Sequence, residues 1–264
     1  MIQAIDRLDD PRIASYARVG DPAWLRGNNL FVAESRLVVR RLFETGRYEV
    51  ESVLVTPAAL AAMRDALPEH TTVYVAEQQV LDCVTGFQFH RGCLALVRRP
   101  PPLDAAAFRS ANRLVALEGI GNPDNVGGIF RNAAAFGVEG VLLDPSSGDP
   151  LYRKAIRTSM GAALSIPVAR VTGWPEDVEA YRASGFTVLG LTPRASARSL
   201  DQVAQRPPER WILLAGAEGP GLGETALAAV DIHVRIPIVE TADSLNVTVA
   251  VGIALSRLFG EHRS

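Results

Sequence analysis

Apolar residues fall along the chain in two alternating patterns. Short β-branched runs give way to stretches in which apolar side chains return every three or four positions. Val50 to Val55 is one such run. Thr56-Pro57 closes it and predicts a strand followed by a helix from Pro57. Leu37, Val38, Arg41 and Leu42 have helical spacing and predict a helix over 34–45; a second is expected over 9–18. Thr72 to Val75 and Cys93 to Val97 read as further strands. The run Arg98-Arg99-Pro100-Pro101-Pro102 can continue neither strand nor helix and marks a linker. Beyond it, strands are predicted near 113–118, 140–143, 167–171, 186–191, 211–215 and 232–236. Helices are predicted near 127–136, 152–158, 175–184, 223–229 and 246–260. This alternation predicts an α/β protein with a mostly parallel sheet covered on both faces. The expected organisation is an N-terminal domain over 1–99, a linker over 100–109 and a C-terminal domain over 110–264, with no internal repeat.

Composition narrows the class. The 264 residues are 48% hydrophobic and 21% charged, enough apolar material for a real core. Residues 1–108 carry 12 Arg and 13 Asp or Glu, and 109–264 carry 15 basic and 16 acidic residues, so both parts are near neutral. Bulk charge therefore does not hold the protein to nucleic acid, although a local basic patch can. Two cysteines, Cys83 and Cys93, are too few for a disulfide framework or a four-ligand zinc site. The histidines His70, His90, His233 and His262 show no metal-ligand spacing, so no metal is expected. The charged N-terminus lacks a signal peptide's apolar run, and Val247 to Phe259 is too short to span a bilayer. A cytoplasmic protein with no membrane association is expected.

Three segments carry more Gly, Asn, Ser and charge than packing requires. The first runs from Asn122 to Asn132 after a predicted strand. Its Val126, Ile129, Phe130 and Ala133 form a helical stripe, with Arg131 beside the stripe and Gly127 one turn before it on the same face. Arg131 is expected to reach back over bare backbone at the helix start, leaving room for an anionic ligand. The packing alternative is an Asx turn feeding a buried helix. The second, Ala215-Gly216-Ala217-Glu218-Gly219-Pro220-Gly221, ends a strand in a glycine loop that fits neither phosphate-binding fingerprint. Glycines there let backbone groups approach a ligand, and Glu218 is the one charge. An ordinary strand-to-helix turn is the alternative. In the third, Ile236-Pro237 leads through a polar loop to Ser244-Leu245-Asn246-Val247 at the start of an apolar helix. Ser244 and Asn246 are helix caps on the plainer reading. A weaker feature, Tyr152-Arg153-Lys154-Ala155-Ile156-Arg157, is either a solvated helix face or a phosphate-contacting patch.

Together, in this order and strand context, these segments resemble the SpoU/TrmH family of RNA ribose 2′-O-methyltransferases in the SPOUT superfamily. The likeness lies in Asn125 with Arg131 six positions on, Gly216-Ala217-Glu218-Gly219, Ile236-Pro237 and Ser244-Leu245-Asn246-Val247, and covers about 110–264. Phe31-Val32-Ala33-Glu34 and Thr85 to Gly92 resemble the family's small N-terminal α/β substrate-binding domain, with Arg91 where relatives often carry Gln. The resemblance implies a C-terminal SPOUT α/β domain with a deep trefoil knot, the chain after Gly216 threading an earlier loop. It also implies a homodimer with its active site near the subunit interface, and S-adenosylmethionine as cofactor. Carried over by position, Gly216, Ile236 and Leu245 contact the cofactor, aided by Leu191, Thr192 and Gly219. Arg131 is the catalytic residue, with Asn125, Glu218, Ser244 and Asn246 holding it and the ribose.

The expected reaction is attack of a ribose 2′-hydroxyl on the sulfonium methyl. A sugar hydroxyl needs a base or strong positioning. Arginine stays protonated, so Arg131 acts either as the base the family proposal makes it or as a phosphate clamp that orients the hydroxyl. The candidate RNA contacts are Arg36, Arg40, Arg41, Arg91, Arg98 and Arg99 in the N-terminal part, with Arg153, Lys154 and Arg157 beyond it. By the same resemblance the substrate is RNA, with 23S rRNA favoured and tRNA the alternative. A non-catalytic RNA-binding ribosome-assembly protein of the same fold is a further reading, disfavoured by the intact motifs. A nucleotide-dependent small-molecule enzyme is disfavoured by the lack of an early glycine fingerprint.

Overall fold

A computed structural model describes residues 1–86, 92–174, 176–239 and 244–259. The chain forms two compact units. The first comprises Met1–Pro101 and Leu151–Ser165, the second Pro102–Pro150 and Ile166–Ser264. The partition differs from the expected single boundary because Leu151–Ser165 packs with the first unit. Its Ile156 and Leu164 are buried beside Phe31, Val38 and Val39.

The first unit holds a five-stranded sheet. In chain order its elements are β1 (Ile2–Ala4), α1 (Pro22–Gly27), β2 (Leu30–Glu34), α2 (Arg36–Thr45), β3 (Val50–Val55), α3 (Pro57–Met63), β4 (Val73–Val75), α4 (Gln78–Thr85) and β5 (Cys93–Arg98). The strand order is β1-β4-β3-β5-β2, with β5 antiparallel to both neighbours and the remaining pairs parallel. Both faces are covered. Phe31, Val53, Val55, Ala95 and Val97 meet α2 and α3 on one side. Val32, Leu54, Leu94 and Leu96 meet Ile13, Tyr16, Leu25 and Leu81 on the other. Local chemistry sets the boundaries. The Asp21 side chain caps α1 and Thr56 caps α3, each with proline at the first helical turn. Ser35 caps α2 from a left-handed backbone (φ 87°), and Gly46 ends that helix at φ 60°. The helix expected over 9–18 is a 3₁₀ helix over Pro11–Arg18, capped by Asp10.

The second unit carries the expected parallel sheet. Its elements are β6 (Arg113–Glu118), α5 (Pro123–Phe136), β7 (Gly140–Leu143), β8 (Val168–Arg170), α7 (Glu176–Ala183), β9 (Thr187–Leu191), β10 (Arg198–Ser199), α8 (Leu200–Ala204), β11 (Trp211–Gly216), α9 (Glu224–Ala228), β12 (Ile232–Arg235) and α10 (Val247–Leu258). Helix α6 (Arg153–Thr158) falls between β7 and β8 in sequence but belongs to the first unit. The seven strands run parallel in the order β10-β12-β9-β11-β6-β7-β8. The central strands are buried on both faces, which explains their unbroken apolar runs. Helix α5 starts four residues before the expected position, because Asn122 accepts from Asp124 N–H and Pro123 opens the first turn. The stripe Val126, Ile129, Phe130 and Ala133 is fully buried. Each of its larger members contributes roughly 1.5–3 kcal/mol. No helix among the described residues is long and apolar enough to cross a membrane.

Candidate active site

Parallel α/β sheets place ligands beyond the carboxyl ends of their strands. That edge here carries a cavity of about 520 Å³. Its walls come from the ends of β9, β11 and β12 and the start of α10. Leu191, Thr192, Gly216, Gly219, Ile236 and Leu245, the six expected cofactor contacts, all line it, together with Glu218, Ser244 and Asn246. After Gly216 the chain doubles back, with Gly221 N–H donating to Ala217 O at 2.9 Å. A Cβ on Gly216 would lie 2.2 Å from the Gly221 carbonyl carbon, so only glycine fits. Gly219 and Gly221 supply the left-handed turns, at φ 86° and 71°. The far end of the loop is pinned by Glu118, which accepts from Gly223 N–H and from Trp174 Nε1, both at 2.9 Å.

One end of the cavity holds a chain of polar groups. Asn246 accepts from Thr248 and Val249 N–H and so caps α10. Its amide Nδ2 donates to Asn125 Oδ1 at 3.0 Å and to Glu218 Oε1 at 2.5 Å. The plain capping role and the site role thus fall on one side chain. Asn125 is buried and also accepts from Thr248 Oγ1. Beside α5 the Asp144 carboxyl braces the Gly119–Ile120 turn. Burial pushes its pKa up, but bonds from Ser146, Ser147 and backbone N–H groups outweigh this and hold it below the ordinary carboxylate value.

Two expectations concern α5. Of the glycine pair at its start, Gly128 faces another helix rather than a ligand. A Cβ on Gly128 would meet Thr248 Cγ2 at 2.5 Å, and one on Gly252 would meet Asn132 Nδ2 at 2.8 Å. The glycines instead let α5 and α10 cross closely, joined by Asn132 Nδ2 donating to Thr248 O at 2.8 Å. The second concerns Arg131. It is exposed and makes no hydrogen bond or ion pair among the described residues, so Asn125, Glu218, Ser244 and Asn246 do not hold it within this chain. The helical phase explains this. Asn125, Gly128 and Asn132 face α10, and at about 100° per residue Arg131 falls on the flank. Asn125 and Arg131 are also absent from the cavity wall.

The candidate RNA contacts divide sharply. Arg40 is tied to Asp65 at 2.6 and 2.9 Å, and Arg153 lies 3.6 Å from Glu34. Arg41 donates to Met160 O, Arg98 pairs with Glu49 and Glu51, and Arg99 donates to Leu30 O. These groups serve intramolecular partners. Lys154 is half-buried. Arg36 and Arg157 are exposed without such a partner among the described residues. Arg91 lies outside the described residues. Sequence reasoning missed Thr248 and two of the three charged residues at the cavity, Arg194 and Glu224. Thr248 had a signal, since the small residues Gly128 and Gly252 mark a close helix crossing.

Fold and site thus define an α/β domain with a ligand cavity at the carboxyl edge of its sheet, walled by three loops. Known proteins agree. A model of the SpoU rRNA Methylase family matches residues 112–256. A protein of Mycobacterium bovis named as a tRNA/rRNA methyltransferase is 38% identical over 260 residues, covering 96% of this chain and 90% of its own. An AdoMet-bound rRNA methyltransferase from Sinorhizobium meliloti superposes with a TM-score of 0.80 at 23% identity, over 97% of both chains. An RNA 2′-O ribose methyltransferase structure gives 0.76 at 25% identity, over 98% of both. The chain belongs to the SpoU rRNA methylase family.

Proposed function

We propose that the protein transfers a methyl group from S-adenosylmethionine to a ribose 2′-hydroxyl of RNA, with 23S rRNA as substrate. It works in the cytoplasm as a homodimer with active sites near the subunit interface. The observation that carries the reading is the cavity edge on which the Gly216–Gly219, Ile236 and Ser244–Asn246 segments meet. The cavity fits a nucleoside-sized cofactor: its volume is in the range of small-molecule sites, and its walls mix aliphatic side chains with approachable backbone. Leu191, Ile236 and Leu245 would pack the adenine, and backbone groups at Thr192, Gly216 and Gly219 would take its polar edges. The loops after β9, β11 and β12 would form the family's deep knot. S-adenosylmethionine, when bound, supplies an electrophilic methyl on a sulfonium.

The protein's own residues then have separable roles. Glu218 and Asn246 form a fixed polar wall at one cavity end, Asn125 holds Asn246 from outside that wall, and Ser244 adds a hydroxyl to it. The Arg131 guanidinium clamps the target phosphate bidentately and orients the 2′-hydroxyl, whose proton passes to phosphate or water. Its place on the free flank of α5 suits delivery to the partner's cavity. Exposed Ile238, Val239 and Val249 suit a covered interface. Arg36 and Arg157 are the free cations available to RNA among the described residues of the candidate set.

The name of the M. bovis relative favours tRNA as the second substrate. The test is methyl transfer from labelled S-adenosylmethionine to separate pools of unmodified 23S rRNA, 16S rRNA and tRNA, followed by digestion to nucleosides. Label in a 2′-O-methyl nucleoside of the 23S pool is expected. Label in tRNA alone would move the substrate, and label in a methylated base would overturn the chemistry.

A further inference from the structure

Among the described residues, three charged side chains line the cavity: Arg194, Glu218 and Glu224. Glu218 is committed to Asn246. The other two pair with each other across the wall, Arg194 NH2 donating to Glu224 Oε1. Arg194 follows β9 after the Thr192-Pro193 turn, and its N–H points to Thr192 Oγ1 at 3.4 Å. Glu224 opens α9 directly after Gly223, the residue pinned by Glu118. Both backbones are anchored while both side chains reach solvent, at 48% and 83% exposure. A salt bridge this wet contributes little to stability, so its partners can be exchanged at small cost.

We propose that Arg194 and Glu224 form the subsite for the amino-acid end of the cofactor. The inference rests on the S-adenosylmethionine reading above and deepens it. An α-amino acid carries one carboxylate and one ammonium a few ångströms apart. An arginine–glutamate pair is the electrostatic complement of that zwitterion. On binding, the guanidinium exchanges the Glu224 carboxylate for the ligand's carboxylate, which it can take bidentately. The released Glu224 carboxylate accepts from the ammonium. The aliphatic walls and glycine loop, which carry no cation, remain for the adenosine part. The pair thus selects for the amino-acid end, and the rest of the cavity selects for the nucleoside.

Calorimetric titration of the full chain with two ligands tests this. S-adenosylhomocysteine carries the amino-acid end; 5′-methylthioadenosine shares the adenosine and thioether but lacks it. Arg194→Met is expected to weaken S-adenosylhomocysteine binding about ten- to a hundredfold, the loss of a charge-assisted hydrogen bond, and to leave 5′-methylthioadenosine within about twofold. Glu224→Gln should weaken the first ligand by a smaller factor and spare the second. Unchanged S-adenosylhomocysteine binding by Arg194→Met, or equal weakening of both ligands, overturns the proposal. Failure of the unsubstituted protein to bind S-adenosylhomocysteine or S-adenosylmethionine would instead overturn the cofactor reading.

Discussion

Asn246 joins three elements through one side chain, so its replacements separate capping from bridging. In Asn246→Ala, the N–H groups of Thr248 and Val249 lose their acceptor, costing about 1 kcal/mol. The buried Asn125 Oδ1 loses its 3.0 Å donor, which costs about 1–3 kcal/mol. Thr248 Oγ1, at 3.4 Å from the same oxygen, makes up part of that loss. The expected destabilisation is therefore about 2–3 kcal/mol, or about 4–12 °C in melting temperature for a domain of this size. Asn246→Ser keeps a capping oxygen and removes only the bridge, so it should lose about 1–2 kcal/mol. Asn246→Asp also caps but sets a second carboxylate against Glu218. Its deficit should shrink as added salt screens the two carboxylates. Melting followed by circular dichroism, paired with titration of S-adenosylhomocysteine, reads all three. If Asn246→Ser matches the unsubstituted protein in both measurements, the bridge to Asn125 and Glu218 holds nothing. If Ser and Ala lose the same amount, the capping role fails.

Arg131→Ala should abolish methyl transfer while S-adenosylhomocysteine binds as before; retained transfer would remove Arg131 from the catalytic role. Gly216→Ala should eliminate cofactor binding, since its Cβ meets the backbone of Gly221 and Leu222; near-normal affinity would show the loop to be pliant. Burial pushes the Cys93 thiol up to about 12, so at pH 8 it is protonated and hidden, whereas Cys83 is exposed. A thiol reagent should therefore label one of the two cysteines in native protein and both after unfolding. Replacing Arg36 and Arg157 together by Ala should weaken RNA binding and reduce the salt slope by about two, one for each phosphate no longer neutralised. An unchanged slope would place the RNA elsewhere.

The second unit is the more legible half. Strands β6 and β7 have the predicted limits, because parallel strands buried on both faces read as continuous apolar runs closed by turn residues. The first unit is harder. Strand β2 is buried at all five positions, and its last residue, Glu34, falls within the predicted helix 34–45; the true boundary is the cap at Ser35. Strands β1 and β10, of three and two residues, are too short to show a period, and α1, α4 and α8 are too short or too polar to stand out. At the site, motif order announces the cavity wall. The Arg194–Glu224 pair stays hidden because its members are thirty residues apart in ordinary loop sequence. The tight crossing at Gly128 and Thr248 has a signal in Gly128 and Gly252, but an ambiguous one, since a helical glycine looks alike whether it faces a ligand or another helix.

The placement of Leu151–Ser165 in the first unit has a consequence for synthesis on the ribosome. Ile156 and Leu164 complete the core around Phe31, Val38 and Val39, yet they are made long after Pro101. At about 5–20 residues per second, roughly 3–13 s separate the emergence of Pro101 from that of Ser165. Through that interval the nascent first unit has its sheet but not its last apolar cover. The Phe31–Val39 part of the core then lacks the two side chains that complete it. Slowing translation between residues 101 and 165 should lengthen that interval and raise the fraction of chains lost to aggregation.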